Sequence, residues 1–298
     1  MIAVNLVWAA HPVWGKVLLG EVTPFQAAWL RYFVAWLTLL GLTMILRLSG
    51  WGRGFEFPRG RAAWIGIVGI GISSFFMSPL LQATGLLNSG AIENALIIAM
   101  EPLLIVFFAW LFLKEKMSRV LLMAFAMAIG GFVLLSSNGG GASHVGVASS
   151  WVGNLLMLTS LLGEAGYSII GKKMMRLNLA PLDVYGGAIG VGVLAITLLL
   201  VCTDGFPRLG SLSVLAWIAI FWMGSFGTTL GYWYWMQLLM KGSVSGMALS
   251  LFIQPLAGAI GGAVFLGEQL TLFQGLGGGL ILVSMGVQAL SDRFGETK

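Results

Sequence analysis

Two acids stand deep in apolar stretches: Glu101 within residues 90–113 and Glu164 within residues 150–172. An ionised carboxylate at the centre of a bilayer costs at least about 2.5–3.5 kcal/mol, so both must face a protein interior or water. Acids so placed bind a substrate or carry a proton. The plainer alternative is an acid kept protonated, or tied to nearby backbone, that only fixes helix packing. His11 falls about 15 Å along the first apolar stretch, near mid-depth. An imidazole there can bind substrate or titrate near neutrality, or serve as a hydrogen-bonding strut. These three residues are the candidates for proton coupling.

Ser78, Gln82, Asn94, Asn154, Tyr167 and Gln254 are polar groups in or beside apolar stretches, and candidate liners of a cavity. Glu93, near the end of its stretch, reads as a wet mouth residue. Lys16 and Arg31 lie toward the ends of neighbouring stretches, where snorkelling accounts for them. Tyr232-Trp233-Tyr234-Trp235 lies deeper than an interfacial aromatic belt. Four consecutive rings point around the whole helix, so one or two can face a cavity, and Tyr234 is the candidate.

Pro102 and Pro255 each remove one backbone donor, leaving the carbonyls of Ile98 and Leu251 without their helical partners. At membrane depth such a carbonyl needs a neighbouring helix, water or substrate. Both prolines are therefore candidate hinges or cavity walls, with a tolerated packing kink as the alternative. No enzyme motif survives its context. Gly166 to Lys172 spells a phosphate-loop pattern, but Lys173 stands where Ser or Thr is needed and no strand precedes it. Gly190 to Ala195 matches a dinucleotide pattern from inside an apolar span. No nucleotide, metal or other cofactor is expected, and two histidines with one cysteine leave little for a metal site.

Composition defines the scaffold that holds these residues. With 58% hydrophobic and 9% charged residues, the chain cannot cover a soluble globule, whose surface uses about a quarter charged residues. A bilayer core about 30 Å thick takes about 20 apolar residues per helix. Ten segments fit: 2–19, 24–46, 62–82, 90–113, 118–137, 150–172, 181–202, 212–238, 244–266 and 271–290. The fold expected is an all-α polytopic membrane protein of ten transmembrane helices. Close helix packing is expected at the small-residue spacings Gly186/Gly190, Gly227/Gly231, Gly258/Gly262 and Gly275/Gly279.

With Met1 inside, thirteen Lys and Arg fall in inner loops and Arg208 alone in an outer one, a positive-inside bias that places both termini in the cytoplasm. The net charge of +5 is thus a topology signal and calls for no nucleic acid. Ala95, Leu96, Pro102, Leu103, Phe112, Leu113 and Glu115 recur 153 residues on as Ala248, Leu249, Pro255, Leu256, Phe265, Leu266 and Glu268. Residues 1–137 and 150–298 therefore read as two five-helix repeats joined by an outer loop, 138–149. An odd helix number turns the second repeat upside down, the inverted arrangement of many secondary transporters.

Trp14-Gly15-Lys16, Pro24 with Arg31, Glu101-Pro102 with Leu113-Lys114-Glu115, and Pro255 with Leu266-Gly267-Glu268 together resemble the drug/metabolite transporter superfamily, EamA type. The resemblance covers nearly the whole chain and is closest in kind to the aromatic amino-acid exporters. It departs at Gln254, which stands where the first copy has Glu101. It implies a ten-helix carrier of a bacterial-type cytoplasmic membrane with a central cavity and helices five and ten at the periphery. The function it implies is export of amino acids or related metabolites, by uniport or proton antiport. A non-transporting membrane protein, either an assembly or sensor component or an intramembrane enzyme, is the alternative.

Overall fold

The computed structural model describes residues 2–50, 54–114, 119–137, 151–241, 251 and 253–295. The connecting loop 138–149, Glu115, Ala248 and Leu249 lie outside the described residues. Among the described residues the secondary structure is helical throughout, with no strand. Helices α1 (Ile2–Ala9) and α2 (His11–Leu19) share the first apolar segment, and α3 (Pro24–Leu48) fills the second. The third holds α4 (Arg61–Ile72), a π-helical stretch at Ser73–Met77 and α5 (Ser78–Leu87), and the fourth is divided into α6 (Ala91–Ile98) and α7 (Glu101–Leu113). Then come α8 (Arg119–Ser136), α9 (Trp151–Arg176), α10 (Pro181–Cys202) and α11 (Val214–Phe221). A second π-helical stretch, Trp222–Leu230, leads into α12 (Gly231–Lys241), followed by α13 (Ile253–Leu266) and α14 (Leu272–Gly295).

Among the described residues, six helical segments are each long and apolar enough to cross a bilayer: Pro24–Leu48, Arg61–Leu87, Ala91–Leu113, Arg119–Ser136, Pro181–Cys202 and Val214–Leu238. Shorter apolar helices lie at Ile253–Leu266 and Leu272–Gln288. The protein is an all-helical, polytopic membrane protein. Large apolar side chains such as Leu48, Val214 and Phe265 stand more than three-quarters exposed. On a water-facing surface a belt of such residues would drive association, whereas lipid tails solvate it.

The core gathers around α9, which packs on α4, α5, α6 and α7, and around α10, which packs on α3 and α4. Tyr32, Phe75, Tyr167 and Tyr185 are fully buried at this junction, their rings meeting edge to face 5.6–5.8 Å apart around Phe75. A smaller cluster joins α2, α3 and α11 through Leu18, Leu30, Val34 and Ile220.

α8 and α14 stand apart and pack mainly on each other. A Cβ placed on Gly131 would lie 2.6 Å from the carbonyl oxygen of Gly277, and one on Gly277 would lie 2.5 Å from that of Gly131. Backbone therefore meets backbone, as small-residue packing in lipid allows. The expected Gly275/Gly279 spacing is not the one used: Gly279 faces open space, and the neighbouring Gly277 makes the contact.

Loops staple the end of the bundle where α2 turns into α3. The backbone N–H and hydroxyl of Ser213, the N-cap of α11, donate to Glu21. These bonds hold the Glu21 carboxyl below the usual carboxylate range. Thr23 donates to Asp204, and the Gln26 amide donates to the Gly205 carbonyl. At the same end Gly267, at φ +66°, turns the chain so that Glu268 reaches the start of α6. Its two oxygens accept the N–H groups of Ala91 and Ile92, each at 2.8 Å, satisfying donors that a helix start leaves free.

Candidate functional site

The interior polar groups gather where the helices depart from regular geometry. α6 ends at Ile98, and Ala99 and Met100 bond back three residues, to Leu96 and Ile97. The break thus falls just before Pro102, which sits in the first turn of α7, where a missing N–H costs nothing. Pro255 likewise sits in the first turn of α13. Both prolines are buried; Ile98 and Leu251, whose carbonyls they release, line an interior cavity to which the prolines themselves do not contribute. The first segment is interrupted at Ala10, and Trp8 and His11, on either side of the interruption, line one cavity.

Two adjoining chambers share His11, Arg31, Gln82 and Ile98. The first, about 520 Å³ including its mouth, is largely aliphatic, walled by Leu18, Leu86, Met157 and Met223, with Asn94 at its edge. The second, about 590 Å³ including its mouth, holds Glu101, Glu164 and Gln254 among the rings of Trp8, Tyr167, Tyr232 and Trp235. Trp8 lies 5.7 Å from Tyr232 and 6.0 Å from Trp235, and Tyr167 lies 5.1 Å from Tyr232.

Arg31 is 7% exposed. Its Nε donates to the Thr228 hydroxyl at 2.9 Å and an Nη to Gln82 Oε1 at 3.2 Å, and its guanidinium lies 4.9 Å from the Tyr32 ring centre. The π-helical stretch supplies this partner. Its wider turn lets Thr228 donate back five residues to the Met223 carbonyl while presenting its oxygen to Arg31, and π segments often mark functional sites. The stretch also presents the Gly227 carbonyl, which accepts Trp8 Nε1 at 2.7 Å. Gly227 is required at this point because a Cβ would collide with the His11 ring. His11 Nε2 is buried there without a hydrogen-bond partner among the described residues.

Glu164 accepts the Tyr232 hydroxyl at 2.7 Å and the Ser78 hydroxyl at 3.1 Å. Glu101 has no hydrogen-bond partner among the described residues, although it lines the same chamber. Gln254 donates to Asn5 Oδ1 at 3.0 Å, and Tyr167 donates to the Tyr232 carbonyl at 2.8 Å.

His11, Gln82, Glu101, Glu164, Tyr167 and Gln254 are thus brought together, with Asn94 in the aliphatic chamber and Ser78 behind Glu164. Four sequence expectations are corrected. Tyr234 does not reach the cavity: it is 41% exposed on the outer face of α12, while Tyr232 and Trp235, respectively two residues before it and one after it, turn inward. Arg31 is a buried part of the cavity wall and does not snorkel. Glu93 is no wet mouth residue: it is 2% exposed, with its carboxylate accepting from the Gly90 N–H and from the Gln274 amide. Asn154 is buried away from the cavity, donating to Ser136.

The sequence model of the EamA-like transporter family matches residues 1–137 and again 151–288. The chain belongs to this family. Similar proteins include an uncharacterized transporter of Bacillus subtilis, YyaM, 24% identical over 93% of this chain and 87% of its own. An uncharacterized transporter of Synechocystis, sll0355, is 23% identical over 96% and 87%. A WAT1-related chloroplastic protein of Arabidopsis thaliana is 24% identical over 91% of this chain and 66% of its own. A solved crystal structure shares the fold, with a TM-score of 0.67 and 18% identity over 97% of this chain and 95% of the other. Membership and these relatives mark the protein as a membrane transporter.

Proposed function

We propose that this transporter is a secondary carrier of small zwitterions, amino acids with an apolar side chain, working by alternating access in a cytoplasmic membrane with both termini inside. One observation carries the reading: a guanidinium and two carboxyls line one cavity, and no hydrogen bond joins the guanidinium to either acid among the described residues. Arg31 donates to Thr228 and Gln82 and to neither acid, so a fixed cation and the unpartnered carboxyl of Glu101 face the two ends of an amino acid. Charge-assisted hydrogen bonds are the strong ones in such a setting. The aliphatic chamber beside Arg31 receives the side chain.

Two matches to one family model and the repeated Pro-containing stretch support a pair of inverted five-helix halves. So does the placement of the π segments, since Ser73–Met77 shifted by 153 residues falls on Phe226–Leu230, inside the second one. Substrate sites of such carriers lie between the halves, at interrupted helices. Export is the direction taken from the family resemblance.

Purified protein in liposomes is expected to exchange labelled amino acids against an internal pool. Arg31→Met should reduce that exchange by about a hundredfold or more, the effect of losing a buried charge-assisted contact of about 3 kcal/mol. Absence of counterflow across a panel of amino acids would overturn the reading.

A further inference from the structure

The two acids of the aromatic chamber are built differently. Glu164 has each oxygen engaged, one by Ser78 and one by Tyr232. Tyr232 is in turn held by Tyr167, which donates to its carbonyl. Glu164 is therefore a fixed member of the wall, and its bond to Tyr232 sets the position of one ring of the aromatic box. Glu101 stands at the first position of α7, immediately after the helix break, with no donor turned toward it among the described residues. A carboxylate lining a largely aromatic chamber without a partner carries a desolvation cost, which a proton or a cation relieves. Trp8, Tyr167, Tyr232 and Trp235 line the same chamber, and ring faces attract an organic cation as it loses its water. The other charged or titratable groups lining this chamber are His11, Arg31, Glu164, Tyr167 and Tyr232.

We propose that Glu101 is a cation-exchange site, occupied in turn by a proton and by the ammonium group of the cargo, while Glu164 keeps its two hydrogen bonds throughout. This inference rests on the carrier reading and gives it a coupling rule. On loading, the Glu101 carboxyl O–H proton passes to water in the open chamber, and the carboxylate left behind pairs with the cargo's ammonium. On release at the other face the ammonium departs and a proton from water restores the acid. No covalent bond other than that O–H changes. One proton moves against each zwitterion, so each cycle carries one positive charge in the proton's direction.

The test is proton release on binding, measured with the full chain in weakly buffered detergent. Three probes separate the ends of the cargo: leucine, 3-methylbutylamine, which lacks the carboxylate, and 4-methylpentanoate, which lacks the ammonium. Leucine and 3-methylbutylamine should each release about one proton per molecule bound, as linkage requires of an exchanged site, and 4-methylpentanoate none. Glu101→Gln should abolish the release and weaken amine binding by about tenfold or more. Glu164→Gln should bind more weakly but still release the proton. Unchanged release in Glu101→Gln, or release lost only in Glu164→Gln, would overturn the exchange site and leave the carrier reading standing. Leucine counterflow without proton release in the wild type would do the same. Failure of every amine-bearing probe to bind would remove both.

Discussion

Glu101-Pro102 and Gln254-Pro255 occupy matching places in the repeated stretch, and the protein treats them differently. Both prolines begin a helix, and both release a carbonyl whose residue lines the aromatic chamber. The residue before each proline diverges: Glu101 is ionisable and unpartnered among the described residues, whereas Gln254 is a neutral amide donating to Asn5. The backbone device is duplicated and the charge is not. On the proposed exchange mechanism, two halves of a carrier share mechanics while one alone holds the group that couples movement to a cation.

Exchanging the two residues puts this asymmetry to its most severe test. Combining Glu101→Gln with Gln254→Glu keeps the composition of the chamber but moves its free acid beside Asn5. Counterflow in liposomes should fall by about a hundredfold, about 2.7 kcal/mol, and should not recover relative to Glu101→Gln alone. Wild-type exchange by the double variant would make the two positions equivalent. The next effect concerns the shared device. Pro102→Ala and Pro255→Ala should each slow exchange about tenfold, the first when cargo is offered from one face and the second from the other. Equal slowing from both faces would reduce the prolines to packing features.

A smaller effect is expected at Glu268, which ends the second copy and caps the first. Glu268→Gln should lower stability by about 1–2 kcal/mol, read as a drop in the melting temperature in detergent, through weaker charge-assisted capping of α6. Asn5→Ala, which frees the Gln254 amide, should cost about 1 kcal/mol and leave proton release intact. The smallest concerns pH at the Glu21 staple. Its carboxyl titrates below the ordinary range, so its contribution is present above that range. It should be lost only as pH falls through the lowered folded value, with Glu21→Gln removing that acid sensitivity.

The all-helical membrane character and the six interior residues that meet in the cavity were legible because insertion in lipid punishes a polar group that has no use. Arg31 was not, since a long cation near a span's end is accommodated by snorkelling on sequence grounds alone. Its burial depends on Thr228, presented by a π-helical turn that has no distinct sequence signature, and on Gln82 from another helix. The aromatic run at 232–235 suffered from the same turn. Each extra residue per turn rotates the rest of the helix about its axis, so the phase that selects Tyr232 and Trp235 over Tyr234 is set upstream. Glu93 was misread because its partner, Gln274, lies far away in the chain.

The backbone contact between Gly131 and Gly277 bears on how the protein is made. α8 leaves the ribosome long before α14, and until α14 arrives its glycine face has only lipid against it. Helix α8 can cross the membrane on its own apolarity, but its partner comes late, so this pairing belongs to the closing steps of assembly. A bulky residue at either glycine would therefore show first as failed maturation during synthesis, before any transport rate could be measured.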